Sequence, residues 1–137
     1  MKVQPYLFFE GRCEEALEFY KTALGAEVTM SMRFKDNPEP PEVSMTPPES
    51  ENKIMHASFR IGDTDIMASD GRCSGQAVTQ GFSLCINADN EAEAQRLFAN
   101  LSVGGQVQMP LTKTFFSPQF GMVADRFSVS WMVIVDH

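Results

Sequence analysis

At 137 residues, 43% hydrophobic and 21% charged, the chain has the size and composition of one ordinary globular domain. Its net charge of -7 at pH 7 opposes a phosphate backbone or an anionic membrane surface, and no basic cluster offsets that locally, so neither nucleic acid nor membrane is an expected partner. Cys13, Cys73 and Cys85 are odd in number and lack a CxxC spacing, which argues against a disulfide framework or a cysteine zinc site. With no apolar run near the roughly 20 residues that span a bilayer and no leader before the first strand pattern, a soluble protein of the reducing cytoplasm is expected.

Val3 to Phe9 is apolar and aromatic enough for a buried strand. Gly11-Arg12 breaks that pattern, after which Cys13, Ala16, Leu17, Tyr20 and Leu24 recur at helical spacing. Glu14 and Glu15 fall in the first turn, where they complement the helix dipole, and Gly25 follows as a stop. A strand over Ala26 to Phe34 comes next. Asp36 to Asn52 carries five prolines and several glutamates, so it supports neither a continuous ladder nor a buried face and is expected to be a long acidic surface loop. Ile54 to Ile61 and Thr64 to Ser69, joined by Gly62-Asp63, predict a β-hairpin, Asp70-Gly71 a turn, and Gly71 to Gly81 a linker.

The second half repeats this grammar. An apolar strand over Phe82 to Ala88 precedes Asn90 and Glu93, which have capping-box spacing. Ala94, Leu97, Phe98 and Leu101 then supply a helix face, and Gly104-Gly105 stops it. Gln106 to Phe115, Phe120 to Ala124 and Val129 to Val135 complete the unit as strands. Phe19 to Met30 and Phe98 to Met109 match at constant offset, so each half reads as βαβββ. The expected fold is α+β, one domain over 1–137 built of two such modules, about 1–72 and 80–137.

A tandem βαβββ in so short a chain resembles the glyoxalase, bleomycin-resistance and ring-cleaving dioxygenase superfamily, also called the vicinal oxygen chelate fold, and within it the PhnB-like group. The residues that carry the likeness are Pro5-Tyr6-Leu7-Phe8-Phe9, Ala16 to Lys21 with Leu24-Gly25-Ala26, Ile54-Met55-His56-Ala57 and Ile66 to Asp70. Met109 to Phe116, Phe120-Gly121 and Asp125 to Met132 complete it near the C-terminus. The chain departs from the group at Arg126 and Ser128, where Pro and Gly are usual, which puts the local turn geometry in question. The resemblance implies sheets curled around a central cup and a homodimer. The methyltransferase label often given to PhnB-like proteins finds no support in Phe9-Glu10-Gly11-Arg12, which holds a single glycine where an S-adenosylmethionine loop would be glycine-rich.

Metal-dependent members of the superfamily converge four His or Glu side chains in the cup. By the resemblance those positions fall on Pro5, Met67, Ser83 (or Leu84) and Met132, none of them a ligand for a hard or borderline divalent ion. No metal and no cofactor are therefore expected. His56 is the candidate catalytic or ligand-orienting residue, because an imidazole beside an apolar pocket can move a proton near neutral pH; the plainer reading is a strand-end histidine bonded to backbone. Tyr6, Phe8, Phe115, Phe116, Phe120 and Trp131 are candidate pocket walls, with core packing as the competing role. Met67 and Met132 would form a soft, adaptable floor, and Cys85 an inert small hydrophobe. The leading expectation is a metal-free homodimer that binds an unknown small molecule. The alternatives are an enzyme with displaced metal ligands or with His56 alone, and a structural or regulatory dimer whose cup is filled by its own side chains.

Overall fold

A computed structural model describes residues 1–37 and 51–136. It contains two α-helices and two four-stranded mixed sheets among the described residues, an α+β protein, and divides into two compact units, Met1–Ala77 and Val78–His137. The predicted acidic loop lies mostly outside the described residues, as does His137.

In unit 1, β1 (Tyr6–Phe8) leads into α1 (Cys13–Leu24), then β2 (Glu27–Arg33), a short 3-10 turn, and the hairpin β3 (Ile54–Ile61) and β4 (Thr64–Ser69). The sheet order is β1-β4-β3-β2, with β1 parallel to β4 and the remaining pairs antiparallel. Period-2 alternation sends Leu7, Ala57, Phe59, Ile66 and Ala68 into the core, where they meet Ala16, Leu17 and Tyr20 of the helix. Tyr20 is fully buried and stacks on Phe59 with ring centroids 5.8 Å apart; burial of each such ring contributes roughly 1.5–3 kcal/mol. Gly25 ends α1 in the left-handed conformation, φ 69°, as its stop role requires.

Unit 2 repeats the order with β5 (Leu84–Ala88), α2 (Glu91–Ser102), β6 (Gln106–Thr112), β7 (Gln119–Ala124) and β8 (Ser130–Val135), in the sheet β5-β8-β7-β6. The repetition extends to irregularities: β2 is bulged between Val28 and Met30, and β6 between Val107 and Met109. Leu97, Phe98 and Leu101 pack on the side of the sheet carrying Val123, Trp131 and Val133. Gly121 is required by that approach, since a Cβ there would lie 2.8 Å from the Phe98 ring.

Five strands are shorter than the sequence predicts, β2 and β8 by single residues at their ends and β1, β5 and β6 by more. β1 starts at Tyr6, not Val3, because Pro5 has no N–H to extend the ladder, although its carbonyl still accepts from Met67 N. β5 starts at Leu84, two residues after Phe82, which is half exposed. β6 stops at Thr112, where Thr114 N bonds Ser117 O and turns the chain before Phe115. Ser128 does occupy a left-handed turn position, φ 71°, within the 125–129 turn that leads into β8.

Candidate functional site

In unit 1 the face opposite the α1 core carries Tyr6 and Phe8 from β1, Met67 from β4, His56 and Ser58 from β3, and Met30 and Met32 from β2. The register sets Tyr6 beside Met67, Met67 beside Ser58, and Ser58 beside Met30, with Met32 opposite His56 one step along. The Tyr6 hydroxyl lies 3.2 Å from His56 Nδ1, and Tyr6 also meets the Phe8 ring at 4.9 Å. Phe8 is 56% exposed and Met30 41%, while Tyr6, His56 and Met67 are half-buried. The His56 ring thus meets a side-chain partner, Tyr6, on this face.

The Tyr–His pair has a fixed proton count. With a neutral imidazole, either the hydroxyl donates to Nδ1, leaving Nε2–H as the free donor, or Nδ1–H donates to the phenolic oxygen, leaving the hydroxyl as the donor. Both tautomers leave one donor and one acceptor for a ligand, framed by an aromatic ring and a thioether. The chemistry of such a surface matches planar or apolar groups that carry one polar atom.

The equivalent face of unit 2 is different. Cys85 stands beside Met132, Met132 beside Met122, and Met122 beside Met109. The strand partners of Met67 and Met132 on the first strands are Tyr6 and Cys85. Cys85 is exposed on this face, not an interior hydrophobe, and its thiol is pushed up first by local burial and then by the Asp136 charge, which keeps it protonated and weakly nucleophilic. Beside Met132, Ser83 Oγ and Ser130 Oγ share a hydrogen bond of 2.7 Å at the edge of a groove of about 510 Å³.

Other predicted lining residues lie elsewhere. Trp131 alternates away from Met132 and is 2% exposed in the unit 2 core, its indole N–H donating to Asp125 Oδ2 at 2.8 Å. Phe115 and Phe116 sit in the β6–β7 connection, Phe115 almost fully exposed and Phe116 edge-on to Phe120 at 5.2 Å. The structure therefore brings together Tyr6, Phe8, His56 and Met67, and places Met132 on the unit 2 face without Trp131. Ser58, Met30 and Met32 were missed. Their signal was alternation within β2 and β3, unusable until strand pairing is known.

Asp70 opens the expected turn, its carbonyl accepting from Cys73 N at 2.8 Å, and its buried side chain also acts as a clamp. Its Oδ1 accepts from Gly11 N and Cys13 N at 2.9 and 2.7 Å, and its Oδ2 from Ile54 N at 2.7 Å. It caps α1 and pins the start of β3 together. Beside it the fully buried Cys13 thiol is pushed up strongly, by desolvation first and by the Asp70 and Glu14 charges second. A larger groove of about 840 Å³ opens near this point, lined by Arg12, Glu14, Glu15, Arg33 and Lys53. Within it Arg12 pairs with Glu15, Arg33 with Glu14, and Lys53 Nζ donates to Gly11 O, while Lys35 and Glu18 line it as well. Among the described residues no three His, Cys, Asp or Glu side chains gather where they could hold a metal ion.

Comparison with known proteins agrees with this architecture. The family model described as 3-demethylubiquinone-9 3-methyltransferase matches residues 1–134. Protein YjdN of Escherichia coli K12 is 36% identical over 140 residues, covering 98% of this chain and 95% of its own. The crystal structure of PA1353 from Pseudomonas aeruginosa has a TM-score of 0.85 at 41% identity, covering 99% and 98% of the two chains. The PhnB protein from Bacillus cereus gives 0.79 at 28%, covering 98% and 99%. A glyoxalase-related enzyme from Fulvimarina pelagi, at 19% identity and TM-score 0.63 over 99% and 88%, shares the fold. The family description implies S-adenosylmethionine, but the turn after β1 does not suit it: the Gly11 and Cys13 amides that would face a ligand already bond Asp70, and Gly11 is the sole glycine there. By the match along nearly its whole length, the chain belongs to the PhnB-like family described as 3-demethylubiquinone-9 3-methyltransferase.

Proposed function

We propose that the protein is a cytoplasmic, small-molecule-binding homodimer that uses no divalent metal, with its ligand seated on the unit 1 face of Tyr6, Phe8, His56 and Met67. The observation that carries this reading is the Tyr6–His56 hydrogen bond set in a partly exposed aromatic and thioether surface. A polar pair on an apolar wall orients a ligand, and the exposure of Phe8 and Met30 leaves apolar area for a ligand or a second copy to cover. The free cysteines suit a reducing compartment. The same contact supports a second reading, in which His56 and Tyr6 pass a proton to or from the bound molecule.

Native mass spectrometry of protein purified without an affinity metal, with elemental analysis, tests this directly. A dimer mass, no stoichiometric divalent ion and a retained organic molecule are expected. His56→Ala should then weaken that molecule's binding by about tenfold, or roughly 1.4 kcal/mol, with the fold intact by circular dichroism. One divalent ion per protomer would overturn the reading in favour of metal-assisted chemistry. Turnover that His56→Ala abolishes without loss of binding would favour the proton-transfer reading.

A further inference from the structure

The two modules put different chemistry at one equivalent corner. In unit 1, Gln4 and Asp65 lie two residues before the paired Tyr6 and Met67. That corner is charged and closed on itself: Asp65 takes Lys2 and Arg60, each at 3.0 Å, and Gln4 Nε2 bonds the Asp65 carbonyl at 3.4 Å. In unit 2, Ser83 and Ser130 stand two residues before the paired Cys85 and Met132. Here the corner is the groove of about 510 Å³, bounded by Ser83, Ser130, Gln108, Phe82 and Met132, and none of its lining residues is charged.

From this we infer that unit 2 carries a separate binding subsite for an uncharged hydrogen-bonding group, of the hydroxyl or carboxamide class, attached to an aromatic or apolar body. The proton count supplies the class. Two serine hydroxyls sharing one hydrogen bond at 2.7 Å retain one O–H donor and spare lone pairs, and the Gln108 carboxamide adds a donor and an acceptor. A group that both donates and accepts is matched. A carboxylate or ammonium would lose hydration against neutral partners with no opposite charge to replace it. Phe82, half exposed, and the Met132 thioether supply the contact for the apolar body. The inference rests on the reading of the chain as a small-molecule binder and gives it a second seat, independent of Tyr6 and His56.

Ligand-observed NMR titration of the full chain with benzamide, benzoate and benzylamine at pH 7 tests it. Benzamide should bind about tenfold more tightly than either ion, and Ser130→Ala or Ser83→Ala should weaken it several-fold, on the order of one lost hydrogen bond. Ser130→Thr, which keeps the hydroxyl, should restore binding, and Gln108→Glu on the exposed bulge should shift preference toward benzylamine. His56→Ala should leave benzamide binding in unit 2 unchanged. If benzamide binding depends on His56 and ignores both serines, the unit 2 subsite is overturned while the unit 1 reading stands. Equal binding of benzoate overturns the ligand class. If serine-dependent binding persists while Tyr6 and His56 variants have no effect on any ligand, the subsite stands and the unit 1 reading falls. Failure of all three probes to bind overturns the subsite.

Discussion

The two helices begin in different ways, although the modules around them repeat. α2 is capped from its own sequence: Asn90 Oδ1 accepts from Glu93 N at 2.8 Å, and the Glu93 carboxylate reaches back to Asp89 N at 3.2 Å. α1 has no such cap, because Arg12 offers no side-chain acceptor there; the amide of its first residue, Cys13, and that of Gly11 just before the helix bond Asp70, which arrives from the end of β4. A local cap can form as the helix forms, whereas the α1 cap exists only once β3 and β4 have docked. Unit 1 thus ties helix formation to sheet assembly through one buried carboxylate. In unit 2 the comparable buried aspartate, Asp125, serves a turn: it accepts from Phe127 N, Val129 N and the Trp131 indole, and so fixes the entry to β8.

The contrast breaks most clearly at Asp70. Asp70→Ala should destabilise the protein by about 3–5 kcal/mol, since three amides lose a charged acceptor, against about 1 kcal/mol for Asn90→Ala; urea unfolding measures both, and similar values would erase the distinction between tertiary and local caps. Asp125→Asn should cost about 2 kcal/mol by opposing an amide N–H₂ to the indole N–H, and Trp131→Phe in that background should recover part of it in a double-mutant cycle.

Cys13 gives a pH signature specific to the α1 cap. In the unfolded chain its thiol ionises near ~8.5, while burial beside Asp70 keeps the folded thiol protonated well above that. The unfolded state therefore binds fewer protons at alkaline pH, so the contribution is fully present below pH ~8.5 and falls as pH rises, by roughly 2 kcal/mol between about pH 8 and about pH 10. Cys13→Ala should flatten the alkaline limb of the stability profile by that amount relative to the parent. The smallest effect is expected in unit 2: Ser128→Gly should stabilise by about 0.5–1 kcal/mol, because Ser128 holds φ at 71°, and a higher thermal midpoint would register it.

Much of the secondary structure was legible because its causes are local. The β3–β4 hairpin ends where Gly62-Asp63 places its turn, the α2 cap follows from Asn90 and Glu93, and Gly25 stops α1. The site was legible only in part. Tyr6, His56 and Met67 were identifiable by residue type, but that Tyr6 bonds His56 depends on β1 pairing parallel to β4, which no local pattern specifies. Trp131 shows the converse. Its aromatic character suggested a pocket wall, yet a one-residue alternation in β8 turns it into the core, where Asp125 receives its N–H.

By itself the sequence determined two βαβββ modules, their helix stops and the hairpin. The tertiary structure alone decided which face each strand residue occupies, and with it the Tyr6–His56 pair, the Ser83–Ser130 corner and the Asp70 clamp. Periodicity and capping act over a few residues and leave a readable pattern, but strand register and buried hydrogen bonds join residues some fifty positions apart, and their geometry is set only when the chain packs.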